Sequence, residues 1–273
     1  MLPAAGIDDA LGRRLAMHEA AVHARNGRSL RDLGYGYLLH DAADPEPFWN
    51  RLVAPVWPTD PRAFDRQIDD LITLFASLGR LPHVRTLPFE PGDPAERLQA
   101  AGFRPVGYDR AMVLTDSGPV RAIARTRPSR PGLRLERVGT GPASGAMDVA
   151  RVLVEAFDVE SDRIPALAAE SLAAARRPGG ATLLLFADVR PVAAVRRVTH
   201  EGVTYLSSIG TVPALRRLGY ATLLTAITIA EALDEGTTLV HLLADATADG
   251  ATRLYERLGF SAVGEPIADL LLR

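Results

Sequence analysis

The chain has 273 residues, of which 47% are hydrophobic and 23% are charged, and its formal net charge is −2 at pH 7. This length predicts two domains of ordinary size, and the near balance of acidic and basic residues excludes the charge excess of a nucleic-acid-binding or membrane-surface protein. The absence of cysteine excludes disulfide bonds, a thiolate nucleophile and cysteine-ligated zinc.

The N-terminal residues lack the basic and apolar segments of a signal peptide. No apolar run approaches the roughly 18 residues that suggest a membrane span. Metal-ligand spacings are absent from the sequence as well. We therefore expect a cytoplasmic protein with no metal site that binds neither membranes nor nucleic acid.

The first half of the chain contains a predicted helix over residues 62–79 and the segment 102–107, Gly-Phe-Arg-Pro-Val-Gly, which follows a helix and precedes an apolar strand, 108–114. Residues 259–264 repeat this spacing near the end of the chain. Turn-rich and proline-rich residues 119–131 predict a linker between the halves. The expected organisation is a domain at 1–118, a linker at 119–131 and a related domain at 132–273.

The second half shows the periodicities of a mixed α/β domain. The predicted elements are strand 133–138, helix 146–157, helix 164–176, strand 182–188, strand 191–200, strand 203–212, helix 219–234, strand 238–244, helix 249–258 and strand 262–271. Glu201-Gly202 predicts a tight hairpin, and the apolar residues 239–243 predict a buried central strand. The predicted fold class is therefore α/β, with a mixed, largely antiparallel sheet flanked by helices.

The segment Arg216-Arg217-Leu218-Gly219-Tyr220-Ala221 joins a predicted strand to a predicted helix. The first N–H groups of a helix lack intrahelical partners and carry the positive end of the macrodipole, so they bind phosphate oxygens. Gly219 permits a ligand to approach the backbone closely, and Arg216 and Arg217 add positive charge. The sequence therefore predicts a pyrophosphate site here.

This segment resembles the acyl-CoA loop of the GNAT acetyltransferase superfamily, whose pattern is Arg or Gln, two residues, Gly, one residue, then Gly or Ala. Residues 254–260, Leu-Tyr-Glu-Arg-Leu-Gly-Phe, resemble the second signature of that family, a helix that ends in Gly-Phe. The resemblance implies two GNAT-like domains and a site for acetyl-CoA or another short acyl-CoA. The residues that it assigns to the cofactor are Gly210, Thr211, Val212, Arg216, Arg217, Leu218, Gly219, Tyr220, Ala221 and Thr222.

The first half lacks the acyl-CoA loop and the tyrosine of the second signature. Residues 57–61, Trp-Pro-Thr-Asp-Pro, precede the helix at 62–79 with no Arg-x-x-Gly-x-Ala pattern, and Leu98 stands where the second half has Tyr255. We expect a degenerate N-terminal domain that has lost CoA binding and walls the substrate cleft or supports the fold.

The resemblance makes Tyr255 the candidate proton donor to the departing CoA thiolate; the alternative is a tyrosine that packs in the core. His241 is a candidate general base, although a lone histidine in an apolar strand is commonly a core residue. Asp158, Glu160 and Asp162 fall in a segment that borders the acceptor site in this family, where they either attract a cationic amine or form a solvated loop.

The expected function is transfer of an acetyl or short acyl group from acyl-CoA to an amine of a small molecule, directly within a ternary complex, because no cysteine can carry the acyl group. Three alternatives remain: an acyl-CoA decarboxylase with the same fold, a non-catalytic CoA-binding module, and a protein N-acetyltransferase. We expect a monomer or a homodimer.

Overall fold

A computed structural model describes residues 8–25, 27–90, 93–126, 132–139 and 144–273. The structure contains two compact units that alternate along the chain. The described residues of the N-terminal unit fall within Ala4–Met112, Leu243–Thr252 and Ala262–Arg273, and those of the C-terminal unit fall within Val113–Leu242 and Arg253–Ser261.

The described residues form helices and strands in the following positions. The helices are α1 (Asp9–Ala24), α2 (Pro61–Ser77), α3 (Pro94–Ala100), α4 (Gly118–Ala124), α5 (Ser144–Phe157), α6 (Ile164–Ala175), α7 (Tyr220–Asp234) and α8 (Asp249–Arg257). The strands are β1 (Ser29–Asp32), β2 (Tyr37–His40), β3 (Arg51–Val53), β4 (His83–Arg85), β5 (Arg104–Leu114), β6 (Leu133–Arg137), β7 (Gly180–Ala187), β8 (Arg190–His200), β9 (Val203–Thr211), β10 (Leu239–Asp245), β11 (Phe260–Ala262) and β12 (Ile267–Leu271).

The sheet of the N-terminal unit has the strand order β1-β2-β3-β4-β12-β5. Strands β1, β2 and β3 are antiparallel neighbours, whereas β3 and β4 are parallel and are joined through α2. Strand β12 lies antiparallel to both β4 and β5, with Leu270 opposite Val84 on one side and opposite Pro105 on the other. The last strand of the chain therefore completes the unit that is built mainly from the first half.

The sheet of the C-terminal unit has the order β6-β7-β8-β9-β10. Its strands are antiparallel from β6 to β9, whereas β9 and β10 are parallel and are joined through α7. Both units thus contain an antiparallel pair, a crossover helix and a parallel partner strand. The mixed, largely antiparallel sheets flanked by helices confirm the predicted fold class.

Helices with buried apolar side chains close the cores of both units. In α2, Phe64, Ile68, Leu71 and Phe75 recur at helical spacing and are all buried. In the C-terminal unit, Leu153 of α5 packs in one cluster with Leu184 and Ala194, whereas Leu224 of α7 packs in another with Leu183 and Val195. Each such buried side chain contributes about 1.5–3 kcal/mol of transfer free energy.

Two local predictions about turns are confirmed. Glu201 and Gly202 connect β8 to β9 with φ values of 50° and 74°, as a two-residue type I′ hairpin requires. Gly102 and Gly259, the glycines of the repeated segment, have φ values of 100° and 90°, and each precedes a buried phenylalanine.

Two predicted elements differ from the structure. The predicted strand 262–271 is two strands, β11 and β12, because Gly264 has a φ of 60° and approaches the carbonyl of Pro88 so closely that a side chain there would collide with it. The predicted linker begins with α4, while residues 127–131 lie outside the described residues. The predicted division into domains at 119–131 stays a prediction.

Candidate functional site

Strand β9 leaves its parallel neighbour halfway along its length. Its pairing with β10 runs from Val203 opposite Leu239 to Leu206 opposite Leu242, and residues 207–211 extend beyond the last pair. A bulge lies in β9 at this point, because Ser207 is opposite Arg196 and Gly210 is opposite Ala194. The bulged strand therefore turns backbone groups away from ladder pairing, which suits contact with an extended ligand.

Two residues of β9 have different structural roles near this bulge. Ser208 has a φ of 52°, so the left-handed residue that forms the bulge is a serine, two positions before Gly210. Gly210 instead permits close helix packing, because a Cβ there would lie 2.9 Å from Ala156 Cβ and 3.3 Å from Leu153 Cδ2. Both side chains belong to α5, whose last turn consequently sits directly on the strand.

The segment after β9 forms a tight turn into α7. Val212 N–H donates to the Val192 carbonyl at 3.0 Å, and Pro213–Leu215 form one turn of 3₁₀ helix. Arg217 and Gly219 then have φ values of 65° and 81°. Two left-handed residues within three reverse the chain, and at Gly219 the absence of a Cβ removes the steric cost of this conformation.

Helix α7 begins without a side-chain cap. Gly219 is its N-cap residue, and the first turn contains no acidic side chain. Leu223 N–H donates to the Gly219 carbonyl at 3.0 Å, which leaves the N–H groups of Tyr220, Ala221 and Thr222 without acceptors within the helix. Residues 216–222, which we call the cradle, thus present free N–H groups at the positive end of an apolar, 15-residue helix.

The two arginines of the cradle differ in their contacts. Arg216 Nη2 donates to the Ala156 carbonyl at 2.7 Å, and Arg216 Nε lies 3.4 Å from the Thr211 carbonyl oxygen. Arg217 and Leu218 are exposed, and Arg217 forms no ion pair within the described part of the chain. The Thr211 hydroxyl is buried and has no hydrogen-bond partner among the described residues. A ligand at the cradle would therefore meet the Arg217 charge directly, while Arg216 is held by α5.

Tyr255 is 7% exposed in α8, and its ring packs edge-on against Phe260 with centroids 6.0 Å apart. Burial raises the pKa of its phenol well above the usual value. Its hydroxyl has no hydrogen-bond partner among the described residues. A neutral phenol of this kind remains a proton donor at physiological pH.

His241 lies on β10 directly opposite Tyr205 of β9 and is 1% exposed. The two rings are tilted by 36°, with centroids 5.0 Å apart. These contacts place the imidazole within the core of the C-terminal unit, which favours the packing interpretation. The catalytic role of His241 stays a prediction.

The predicted acidic residues follow the end of α5. Asp158, Glu160 and Asp162 are all exposed, and Asp158 has a φ of 53°. Val159 N–H donates to the Val154 carbonyl at 3.1 Å, so the left-handed Asp158 forms part of the turn that ends the helix. The backbone of Asp158 thus helps to end the helix, and all three acidic residues are exposed to solvent.

Residue-level reasoning missed two features of this region. Phe157 and Val159 alternate with the acidic residues and are 54% and 38% exposed. The Phe157 ring also approaches β9, since its Cε2 lies 3.5 Å from where a Cβ of Gly210 would be. The second feature is the bond from Arg216 to Ala156. The sequence shows apolar residues before and between the carboxylates, so the apolar surface could have been predicted. No local pattern predicts the hydrogen bond from Arg216 to Ala156.

Residues 148–260 match the family model described as "Acetyltransferase (GNAT) family". A GCN5-related N-acetyltransferase from Kribbella flavida is 24% identical and superposes with a TM-score of 0.69 over 95% of each chain. A functionally unknown conserved protein from Staphylococcus epidermidis is 13% identical, with a TM-score of 0.67 over 88% of this chain and 92% of that one.

A tandem GNAT protein from the clavulanic acid biosynthesis pathway is 13% identical, with a TM-score of 0.59 over 97% of this chain and 95% of that one. At these identities the likeness shows a shared fold. No curated protein matches the chain. In addition, none of the helices within the described residues has the length and apolar character to cross a membrane.

Proposed function

We propose, on the premise that residues 148–260 match the GNAT acetyltransferase family model, that the chain transfers an acetyl or other short acyl group from acyl-CoA to an amine of a small molecule. Members of this family use acyl-CoA, typically acetyl-CoA. The observation that carries the proposal is the uncapped start of α7, where Gly219 replaces a capping side chain.

The residues of the cradle fit a pyrophosphate. Three N–H groups at the start of α7 lack helical acceptors, the first turn contains no carboxylate, and Arg217 is exposed beside it. Hydrogen bonds from N–H groups to a charged oxygen are stronger than bonds between neutral groups. The bulged residues 207–211 would contact the pantetheine arm, and the unpartnered hydroxyl of Thr211 is available to a ligand amide after a change of rotamer.

Acyl-CoA supplies an activated thioester carbonyl, and the chain supplies proton transfer and orientation. The neutral amine nitrogen forms a bond to the carbonyl carbon, the carbon–sulfur bond breaks, and the amine loses a proton to a base. We assign to Tyr255 the return of a proton to the thiolate; burial keeps its phenol protonated, and the same raised pKa makes it a weaker acid than an exposed tyrosine. His241 is the candidate base that the sequence offers. The absence of cysteine favours direct transfer over an acyl-enzyme intermediate.

The residues around the end of α5 support a cationic acceptor with an apolar part. Asp158, Glu160 and Asp162 provide exposed negative charge, while Phe157 and Val159 provide exposed apolar surface. Carboxylates attract a protonated amine before it loses its proton, and an aromatic face adds a cation–π contribution. We therefore propose an acceptor in which a cationic amine is joined to an apolar group.

Calorimetric titration of acetyl-CoA and desulfo-CoA tests the site, with Gly219→Asp as the disruptive variant. The carboxylate would occupy the helix start and repel phosphate, so we expect affinity to fall by about a hundredfold or more. Gly236→Asp is the matched control, because Gly236 also has a positive φ, 94°, lies just beyond the other end of α7, and has open space around it.

Micromolar binding that is lost in Gly219→Asp and kept in Gly236→Asp would support the site. Transfer assays with amine acceptors then test the reaction, and carbon dioxide release from malonyl-CoA would instead favour the decarboxylase. Absent binding in the wild type, or equal binding in both variants, would contradict the proposal.

A further inference from the structure

Arg216 links the cradle to a helix that lies far earlier in the sequence. Its Nη2 donates to the Ala156 carbonyl at 2.7 Å, although the two residues are 60 positions apart. Its Nε lies 3.4 Å from the carbonyl oxygen of Thr211 at the end of β9. The guanidinium therefore contacts two backbone carbonyls, while the residue as a whole is exposed.

The end of α5 needs such a donor. The last carbonyls of a helix have no intrahelical partners and carry the negative end of the macrodipole. Val159 N–H satisfies the Val154 carbonyl, but α5 has no basic residue in its own last turn. Arg216 supplies the missing positive charge from the cradle. It acts as a tertiary C-cap on this helix.

The same helix end is held from a second direction. Gly210 of β9 faces Ala156, Leu153 and Phe157 at distances that leave almost no room for a Cβ. The last turn of α5 is thus fixed between the bulged strand and the Arg216 side chain. Residues 157–162, which we call the acceptor segment, continue directly from this fixed turn.

We propose that Arg216 is a positioning residue that fastens the acceptor segment to the cradle, so that binding of acyl-CoA at the cradle orders the amine site. A phosphate held by the N–H groups of residues 220–222 restrains the loop that carries Arg216. The restrained guanidinium then holds Ala156 and the turn at Asp158. The coupling to acyl-CoA rests on the proposed function, whereas the attachment itself does not.

Hydrogen exchange of the ligand-free protein tests the attachment. We expect the Val159 amide, which closes the end of α5, to exchange about tenfold faster in Arg216→Ala, because a charge-assisted hydrogen bond to the helix end is lost. Arg217→Ala is the matched control, since it removes the neighbouring charge without touching α5. Arg216→Lys, which retains a cationic donor, should restore part of the protection and also serves if Arg216→Ala does not fold.

The same three variants test the coupling when acetyl-CoA is added. The comparison is made at acetyl-CoA concentrations that saturate each protein, because Arg217→Ala is itself expected to weaken phosphate binding. At saturation, acetyl-CoA should slow exchange in residues 154–162 of the wild type and Arg217→Ala but leave this exchange unchanged in Arg216→Ala. With an amine that the wild type acetylates, Arg216→Ala should raise the KM for the amine more than the KM for acetyl-CoA.

The outcomes separate the two proposals. If the wild type does not bind acetyl-CoA, the proposed function fails, and the ligand-free comparison alone decides whether Arg216 holds α5. If Arg216→Ala and Arg217→Ala show equal exchange at Val159, the attachment is overturned. If the two variants show equal protection on addition of acetyl-CoA, the coupling is overturned.

Discussion

The crossover helices of the two units occupy the same place in the topology but begin differently. Helix α2 joins the parallel strands β3 and β4, and its N-cap residue, Asp60, accepts a hydrogen bond from Ala63 N–H at 2.8 Å. Pro61 occupies its first position and has no N–H. Helix α7 joins β9 and β10, and begins at Gly219 with no side-chain cap.

This difference decides which helix can bind an anion. At α2 the Asp60 carboxylate accepts from the Ala63 N–H group and places a negative charge where a phosphate would lie, and Pro61 has no N–H to offer. At α7 no side chain caps the corresponding N–H groups. A shared topology therefore does not imply a shared site. Two or three residues at the start of a helix determine whether its first N–H groups bind a capping side chain or can bind a ligand.

Two charged pairs, one in each unit, differ in the burial of the carboxylate. In the N-terminal unit, Arg85 is 3% exposed and binds Asp269 through two hydrogen bonds, of 2.6 and 3.0 Å. His83 Nε2 lies 3.0 Å from the same carboxylate, and Glu19 pairs with the fully buried Arg51 at 2.7 Å. In the C-terminal unit, the buried Arg197 pairs with Glu235, whose side chain is 53% exposed.

The largest effect is expected from Asp269→Asn, which removes the charge opposite Arg85 without changing size. Arg85 keeps the Asp109 carboxylate at 2.8 Å and the Glu19 carboxylate at 3.5 Å, so the lost charge is partly compensated and the free energy of unfolding should fall by up to about 3 kcal/mol. Urea denaturation followed by circular dichroism measures this change. Glu235→Gln is the matched control, and its exposed partner predicts a loss below about 1 kcal/mol. Equal losses in Asp269→Asn and Glu235→Gln would contradict the expected difference between a buried and an exposed carboxylate.

The pH dependence of this loss follows from the same contacts. Burial acts to raise the pKa of Asp269, but Arg85 and His83 outweigh burial and hold that pKa well below its usual range. A carboxyl with a depressed pKa in the folded state stabilises the fold above its unfolded pKa, and this contribution disappears as the pH falls through the folded pKa. The difference in the free energy of unfolding between the wild type and Asp269→Asn should therefore be constant near neutral pH and shrink below about pH 4.

A smaller effect, on rate, is expected from Tyr255→Phe. The ring contact with Phe260 remains, but the proton donor to the thiolate is lost, so kcat should fall by about a hundredfold while the Kd for acetyl-CoA stays within about twofold. Thiol release in the presence of an accepted amine measures kcat, and calorimetry measures binding. Tyr35→Phe in the N-terminal unit makes the same chemical change and should leave kcat unaltered. An unchanged kcat in Tyr255→Phe would favour the packing interpretation.

The sequence predicted the features that depend on neighbouring residues. The hairpin at Glu201-Gly202, the left-handed glycines before Phe103 and Phe260, and the uncapped start of α7 all follow from local conformational preferences. The overall fold class could be predicted for the same reason, since the order of elements largely determines which strands can pair.

Features that depend on distant contacts could not be predicted. The apolar residues of β12 indicate a strand, but nothing local shows that it pairs with β4 and β5 in the N-terminal unit. The break at Gly264 depends on Pro88, and the role of Arg216 depends on Ala156. The contact between the His241 and Tyr205 rings likewise follows from strand register, which no local pattern in the sequence reveals.

The smallest effect is expected from a substitution at the start of α2, which tests the difference in capping between α2 and α7. Asp60→Ala removes the cap on Ala63 N–H and should lower the free energy of unfolding by about 1 kcal/mol. Ser117→Ala is the control, because Ser117 precedes α4 without forming a cap hydrogen bond.

Calorimetry of acetyl-CoA adds a test that stability alone does not provide. The wild type should bind one equivalent per chain at α7, and Asp60→Ala should still bind one. Removing the carboxylate frees an N–H group at α2, but Pro61 still offers none and no left-handed glycine precedes it. A second equivalent in Asp60→Ala would show that the Asp60 carboxylate alone keeps the N-terminal unit from binding acyl-CoA. A second equivalent in the wild type would mean that capping does not distinguish the two helices.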